Sequence, residues 1–129
     1  MRTSIVALLL ILALAVIGLG ACGGTAVPAA SGGQADPVAG EALFKLECAS
    51  CHSVEAGVDL TGPSLAGIGT TAGTMDPGVS AEDLLREAIT DPNAKVTEGF
   101  AKGIMPATFG TQLTTQQIND LIAYLLTLK

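Results

Sequence analysis

The sequence predicts an all-α domain of three to four short helices joined by long loops. Three segments carry apolar side chains at helical spacing, and each begins with a residue that can cap a helix. The loops between them are rich in Gly, Pro and Thr, and no segment has a convincing strand pattern. With no Trp, one Tyr and three Phe, the chain is short of side chains for a core. A large flat apolar cofactor would complete such a core.

Residues 1–21 have the build of a secretory signal, with Arg2 ahead of an apolar run and small residues at its end. Leu19-Gly20-Ala21-Cys22 resembles a bacterial lipobox, in which cleavage precedes a cysteine that receives lipid. The alternative is an uncleaved anchor helix, although its apolar run is short for a bilayer. Both interpretations place the remaining chain outside the cytoplasm, anchored to the outer face of the cytoplasmic membrane.

Residues 22–36 are small, rich in Gly and Ala and almost uncharged, which predicts a flexible tether between Cys22 and a domain over residues 37–129. All twelve Asp and Glu lie beyond residue 35, with five Lys and Arg among them. This balance excludes nucleic acid as a partner, because phosphate binding needs clusters of Lys and Arg. The acidity favours a partner with a basic face, or it serves solubility alone.

The first predicted helix is capped by Asp36 and has Pro37 in its first turn. Residues 57–78 then show little periodicity and are predicted as a loop with one short turn. A second helix follows the capping residue Ser80 and ends before Pro92.

Residues 93–113 are predicted as a further loop, since Gly and Pro recur there without helical periodicity. The last helix follows Thr114, which starts a capping pattern. Its apolar stripe consists of Ile118, Leu121, Ile122, Leu125 and Leu128.

Cys48-Ala49-Ser50-Cys51-His52 is the attachment pattern for haem c. The two thiols add across the two vinyl groups of the porphyrin, and their spacing lets both sulfurs reach one porphyrin edge from a single turn. His52, the only histidine of the chain, then binds the iron. Three other interpretations are a thioredoxin-like redox pair, half of a zinc site, and chance. No βαβ pattern surrounds the two cysteines, and four-coordinate zinc would be short of ligands.

The second axial ligand decides what such a haem does, because a Met on the iron resists substrate binding and raises the potential. Apart from the initiator, the chain offers Met75 and Met105. Met105 lies in a Gly- and Pro-flanked loop before the last helix, and we predict it to be the distal ligand; core packing is the alternative. We expect the carbonyl of Pro63 to accept a hydrogen bond from His52, although an ordinary turn would also explain Pro63.

On these residues the chain resembles class I (mitochondrial-type) monohaem cytochromes c over residues 37–129. The matching motifs are the Gly40-x-x-Leu43-Phe44 helix, CASCH, Gly62-Pro63-Ser64-Leu65, Ile104-Met105-Pro106 and Ile122-Ala123-Tyr124-Leu125. The resemblance implies the class I cytochrome c fold, wrapped round one covalently bound haem c. It also implies that Gly40 and Phe44 of the first helix cross Leu121 and Tyr124 of the last.

A more specific resemblance covers residues 92–110. This run looks like the cytochrome c domains fused to subunit II of bacterial haem-copper oxidases and like monohaem subunits of alternative quinol-oxidising complexes. It implies a single-electron carrier of a respiratory or photosynthetic chain. We do not expect an enzyme, because the chain has no spare His for a distal base and no carboxylate pair in a motif. The donor would be a quinol-oxidising complex, and the acceptor a terminal oxidase or another redox protein. The alternatives are a haem c sensor or peroxide- or gas-binding protein with a labile sixth ligand, or a fixed redox subunit of a larger complex.

Overall fold

The computed structural model describes residues 33–129 and shows an all-α fold. The predicted signal, the lipidation site Cys22 and most of the predicted tether lie outside the described residues. Within residues 33–129 the chain forms five helices, which are α1 (Pro37–Glu47), α2 (Ile68–Met75), α3 (Ala81–Thr90), α4 (Phe109–Gln112) and α5 (Thr115–Leu125). Long loops join α1 to α2 and α3 to α4, and both lie in regions where the sequence predicts loop.

The three helices with strong sequence signals begin where their capping residues predict. The side chain of Asp36 accepts a hydrogen bond from the amide of Val38, and Ser80 accepts one from the amide of Asp83. Thr114 and Gln117 form a reciprocal capping box at the start of α5. Because side-chain acceptors satisfy amides that a helix leaves free, these residues fix the starts of α1, α3 and α5.

Two short helices lie where the sequence predicts loop, which raises the count from three or four to five. The first, α2, begins after Gly67, which has φ +71° and offers no side-chain cap. Tertiary contacts stabilise it, because Ile68 and Ala72 are buried and the amide of Gly69 donates to the carbonyl of Leu128 at 2.9 Å. The same hydrogen bond explains why α5 ends at Leu125, since the last residues leave the helix to bind α2.

The second unexpected helix, α4, is a single turn over residues predicted as loop. It lies against α3, where a Cβ on Gly110 would be 3.3 Å from the Thr90 carbonyl oxygen. Phe109, its first residue, is half-buried and packs against the core. One apolar anchor therefore holds a turn too short to give a periodic signal in the sequence.

The most extensive helix–helix contact is the crossing of α1 and α5. Gly40 makes it possible, since a Cβ there would overlap the Asp120 carbonyl and lie 2.9 Å from Cβ of Tyr124. Next to this point the rings of Phe44 and Tyr124 meet with centroids 5.4 Å apart at an interplanar angle of 50°. The buried apolar core consists of Phe44, Ile68, Ala72, Leu85, Ile89, Ile118, Leu121, Ile122 and Leu125.

The CASCH segment follows the C-terminal end of α1, so the crossing with α5 also fixes where this segment enters the loop between α1 and α2. Asp120 adds a polar link there, because its carboxylate accepts hydrogen bonds from the amide of Asp36 and from Gln116, both at 2.8 Å. This link fixes the start of the domain against α5. Among the described residues, no helix is both long enough and apolar enough to cross a membrane.

Candidate functional site

The CASCH segment forms a tight turn that continues α1. The amides of Cys48 and Ala49 both donate to the carbonyl of Phe44, which closes the helix. The amides of Cys51 and His52 then donate to the carbonyl of Cys48 at 3.0 and 2.9 Å. Both thiols and the imidazole therefore leave the backbone within one turn, as attachment to a single porphyrin edge requires. All three side chains are half-buried.

The ring of His52 is oriented by the backbone of the loop that follows. Its Nδ1 lies 2.9 Å from the carbonyl oxygen of Pro63. Because a carbonyl can only accept, Nδ1 carries the hydrogen and donates it, which leaves Nε2 as the nitrogen that can bind a metal. The structure thus contains the hydrogen bond between His52 and Pro63 that the sequence analysis expects.

Gly62, which the sequence reasoning left without a role, lies directly against this ring. A Cβ at Gly62 would be 2.5 Å from Cε1 of His52 and 2.9 Å from both ring nitrogens. The amide of Gly62 also donates to the carbonyl of Cys51 at 2.8 Å, which ties the loop to the CASCH turn. Only a residue without a side chain allows the loop to come so close. A Gly directly before the predicted Pro63 acceptor was the signal that could have revealed it.

The thiol of Cys48 differs in its pKa from a reactive redox cysteine. The pKa of Cys48 is raised to about 11, mainly by burial and to a smaller extent by the nearby Glu47 and Cys51. Attacking cysteines of thioredoxin-like pairs have a lowered pKa, because the thiolate is the nucleophile. The geometry also disfavours zinc, since within residues 33–129 no three His, Cys, Asp or Glu side chains are grouped so as to hold a metal ion.

The two methionines differ in their surroundings. Met105 is half-buried in the loop between α3 and α4, whereas Met75 ends α2 with 58% of its surface exposed. Gly103, two residues before Met105, has φ +82°. The side chain of Asn93 accepts a hydrogen bond from the amide of Gly103 at 2.9 Å. Sequence reasoning assigned nothing to Asn93, because no local pattern links it to a residue ten positions away.

The helical fold, the CASCH turn and the oriented histidine agree with a comparison against protein families. The family model described as "Cytochrome c" matches residues 37–129.

The chain belongs to the cytochrome c family.

Similar proteins include "Cytochrome c2 iso-2" of Magnetospirillum molischianum, 35% identical over 64% of this chain and 91% of the relative. "Cytochrome c6" of Aphanizomenon flos-aquae is 36% identical over 71% of this chain and 90% of its own length. "Cytochrome c" of Euglena viridis is 32% identical over 73% of this chain and 98% of the relative. Each of these matches spans almost the whole of the relative.

Membership of the cytochrome c family gives the cofactor and the general activity: one covalently attached haem c, used to carry electrons. The side chains present fit that group. Two half-buried thiols and an imidazole leave one turn, and the hydrogen bond at Nδ1 keeps Nε2 for the iron.

Proposed function

We propose that this protein is a single-electron carrier whose haem iron is bound by His52 and Met105. The observation that carries the proposal is the hydrogen bond from His52 Nδ1 to the Pro63 carbonyl, because it fixes the ring and selects Nε2. Haem c supplies a one-electron redox couple when bound. The thioethers of Cys48 and Cys51 keep the cofactor attached while electrons enter and leave.

The protein's own contribution is to hold two ligands on the iron in both oxidation states. Gly62 supports the first ligand, since it lets the loop pack on the His52 ring. The second ligand, Met105, leaves the loop between a left-handed Gly103 and the stiff Pro106. With both axial positions filled, exogenous molecules have no open coordination site, so we propose a carrier and not an enzyme or a gas sensor.

The decisive experiment replaces each methionine in the haem-loaded protein. Met105→Ala opens a coordination site, so we expect the ferrous protein to bind carbon monoxide and the midpoint potential to fall. Met75→Ala is the matched control, and it should leave both properties as in the unaltered protein. Carbon monoxide binding by the unaltered ferrous protein would instead favour a sensor. An unchanged potential in Met105→Ala would exclude Met105 as the ligand.

We further propose that the redox partners present basic faces. Most acidic side chains of the domain are exposed, and two of the few cations, Lys45 and Lys95, are already paired with Glu41, Asp76 and Glu87. The resemblance of residues 92–110 favours a quinol-oxidising complex as donor and a terminal oxidase as acceptor. If the faces are complementary, the bimolecular electron-transfer rate with such a partner falls as ionic strength rises. A rate independent of salt would contradict this.

Finally, we propose that residues 1–21 are a signal, that Cys22 carries lipid and that residues 22–36 tether the domain of residues 37–129 outside the cytoplasm. The lipobox sequence supports this, and α1 begins at Pro37, where the proposed tether ends. Mass spectrometry of the membrane fraction should find a chain that begins at Cys22 and carries lipid on that residue. A chain without lipid that retains residues 1–21 would favour an uncleaved anchor helix.

A further inference from the structure

The loop that carries Met105 is attached to the rest of the molecule by very few hydrogen bonds. It spans residues 91–108, between α3 and α4. Within the described part of the chain, the amide of Gly103 is the one backbone donor between residues 101 and 108 that reaches a protein acceptor. That acceptor is Oδ1 of Asn93, at 2.9 Å. The segment just before the proposed ligand is therefore held to the rest of the molecule by a hydrogen bond to one side chain.

Asn93 is itself well placed to serve as an anchor. It follows Pro92, which is buried at the end of α3, and it lies in a turn closed by the amide of Ala94 donating to the carbonyl of Asp91 at 3.0 Å. Its own side chain is half-buried. One end of the link is thus fixed to a packed helix, and the other end is a backbone amide of the loop.

Gly103, at the other end of this hydrogen bond, sets the direction of the backbone just before Met105. Gly103 has φ +82°, and because glycine adopts negative φ about as readily, it can rotate out of this conformation unless its peptide groups are held. A hydrogen bond to its amide restricts that rotation two residues before Met105. The link thus limits how far the thioether can move from its place.

We propose that Asn93 is a positioning residue, which keeps Met105 in place by holding the amide of Gly103. The inference rests on the proposal that Met105 is the distal ligand. Losing a neutral hydrogen bond of this kind shifts an equilibrium by about fivefold. The population of molecules with Met105 displaced should therefore rise by about fivefold when the acceptor is removed.

The test uses the haem-loaded ferric protein and imidazole as a competing ligand. Imidazole binds only when Met105 leaves, so its apparent affinity reports the displaced population. We expect Asn93→Ala to bind imidazole about fivefold more tightly. Asn93→Asp keeps an oxygen acceptor in the same position and should restore affinity to near that of the unaltered protein. Loss of the methionine–iron absorption band during each titration confirms which bond is replaced.

Lys95→Ala is the matched control. It removes exposed ion pairs with Asp76 and Glu87 from the same loop but leaves the Gly103 amide bonded. An increase in imidazole affinity equal to that of Asn93→Ala would mean that general loosening of the loop is responsible, and this would overturn the proposal. So would an Asn93→Ala protein with unchanged affinity.

Two further variants keep the test decisive. If Asn93→Ala yields no haem protein, Asn93→Ser, whose side chain is too short to reach Gly103, carries the same expectation of a fivefold increase. Met105→Ala separates the two proposals. If Met105→Ala leaves imidazole affinity unchanged, the ligand assignment fails; if it raises affinity strongly while both Asn93 variants do not, only the role of Asn93 fails.

Discussion

The ring of His52 is held from two directions, by a hydrogen bond and by packing. The carbonyl of Pro63 fixes the rotation of the ring through Nδ1, and the bare backbone of Gly62 closes against its edge. Metal-bound histidines generally depend on such partners, which set both orientation and basicity. The backbone of Gly62 and Pro63 therefore orients the imidazole ring, as a carboxylate side chain does in other sites.

Tyr124 gives a prediction about titration. Burial raises the pKa of this phenol, Glu41 raises it further, and Lys45 lowers it. Glu41→Gln removes a negative charge and also frees Lys45, with which Glu41 pairs at 2.7 Å. Both changes lower the pKa of Tyr124, so its titration should move to lower pH. Because the chain has one tyrosine, no other phenol contributes to the change in ultraviolet phenolate absorbance.

The sign of the accompanying stability effect follows from linkage. The folded protein holds the phenolic proton more tightly than the unfolded chain, so this contribution is complete below the unfolded pKa of about 10. It is lost as the pH rises through the higher folded pKa. Glu47→Gln is the control, since it removes the same charge from α1 without being among the causes of the Tyr124 shift. An equal shift in both variants would contradict the assignment to Glu41.

Most residues of the candidate site could be predicted from the sequence alone. The chemistry of thioether formation demands Cys48, Cys51 and His52 at fixed spacing, so their roles can be inferred from a short motif. Gly62 and Asn93 could not be inferred in the same way. Their roles arise from distances to His52 and Gly103, which only the folded loop defines.

Among the elements, the crossing of α1 and α5 is the most sensitive to a single added methyl group. Gly40→Ala would place a Cβ against the Asp120 carbonyl and 2.9 Å from Cβ of Tyr124. The two helices must then separate, since both obstacles belong to a packed helix. We expect the free energy of unfolding of the haem protein to fall by about 2 kcal/mol. Denaturation with urea, followed by circular dichroism, measures it.

Gly73→Ala provides the contrasting variant within a helix. Its added Cβ would have its nearest neighbour, Cβ of Ala81, at 3.9 Å, which is ordinary contact. Replacing a mid-helix glycine without a clash increases stability by about 0.5–1 kcal/mol. If both variants changed stability in the same direction, close packing would not be the reason that α1 carries Gly40.

Capping residues and apolar periodicity sufficed to predict α1, α3 and α5. They failed for α2, whose sequence Ile68-Gly-Thr-Thr-Ala-Gly-Thr-Met75 combines glycine with β-branched threonine and so has low helix propensity. Contacts made elsewhere in the chain stabilise α2: burial of Ile68 and Ala72, and the hydrogen bond from Gly69 to the C-terminal end. Helices formed by tertiary contacts are those that local patterns miss.

At the scale of the whole molecule, a small apolar core supports two long loops. Within residues 33–129 the core contains nine buried apolar residues, all of them in helices. None of these nine lies in the loops over residues 51–67 and 91–108, and the second loop has few internal hydrogen bonds. Ordering a loop residue costs about 1–2 kcal/mol in backbone entropy. The helices alone bury too little to offset that cost, so the covalent haem must contribute to folding as well as to function.

Preventing haem attachment should therefore unfold the domain. In a Cys48→Ser/Cys51→Ser variant we expect the far-ultraviolet circular dichroism of an unfolded chain at about 25 °C and no cooperative thermal transition. The haem-loaded protein should show helical dichroism and a single cooperative transition. Cys22→Ser, which removes a thiol outside the domain, should melt like the unaltered protein. A cooperative transition in the haem-free variant would mean that the nine-residue core folds the chain unaided.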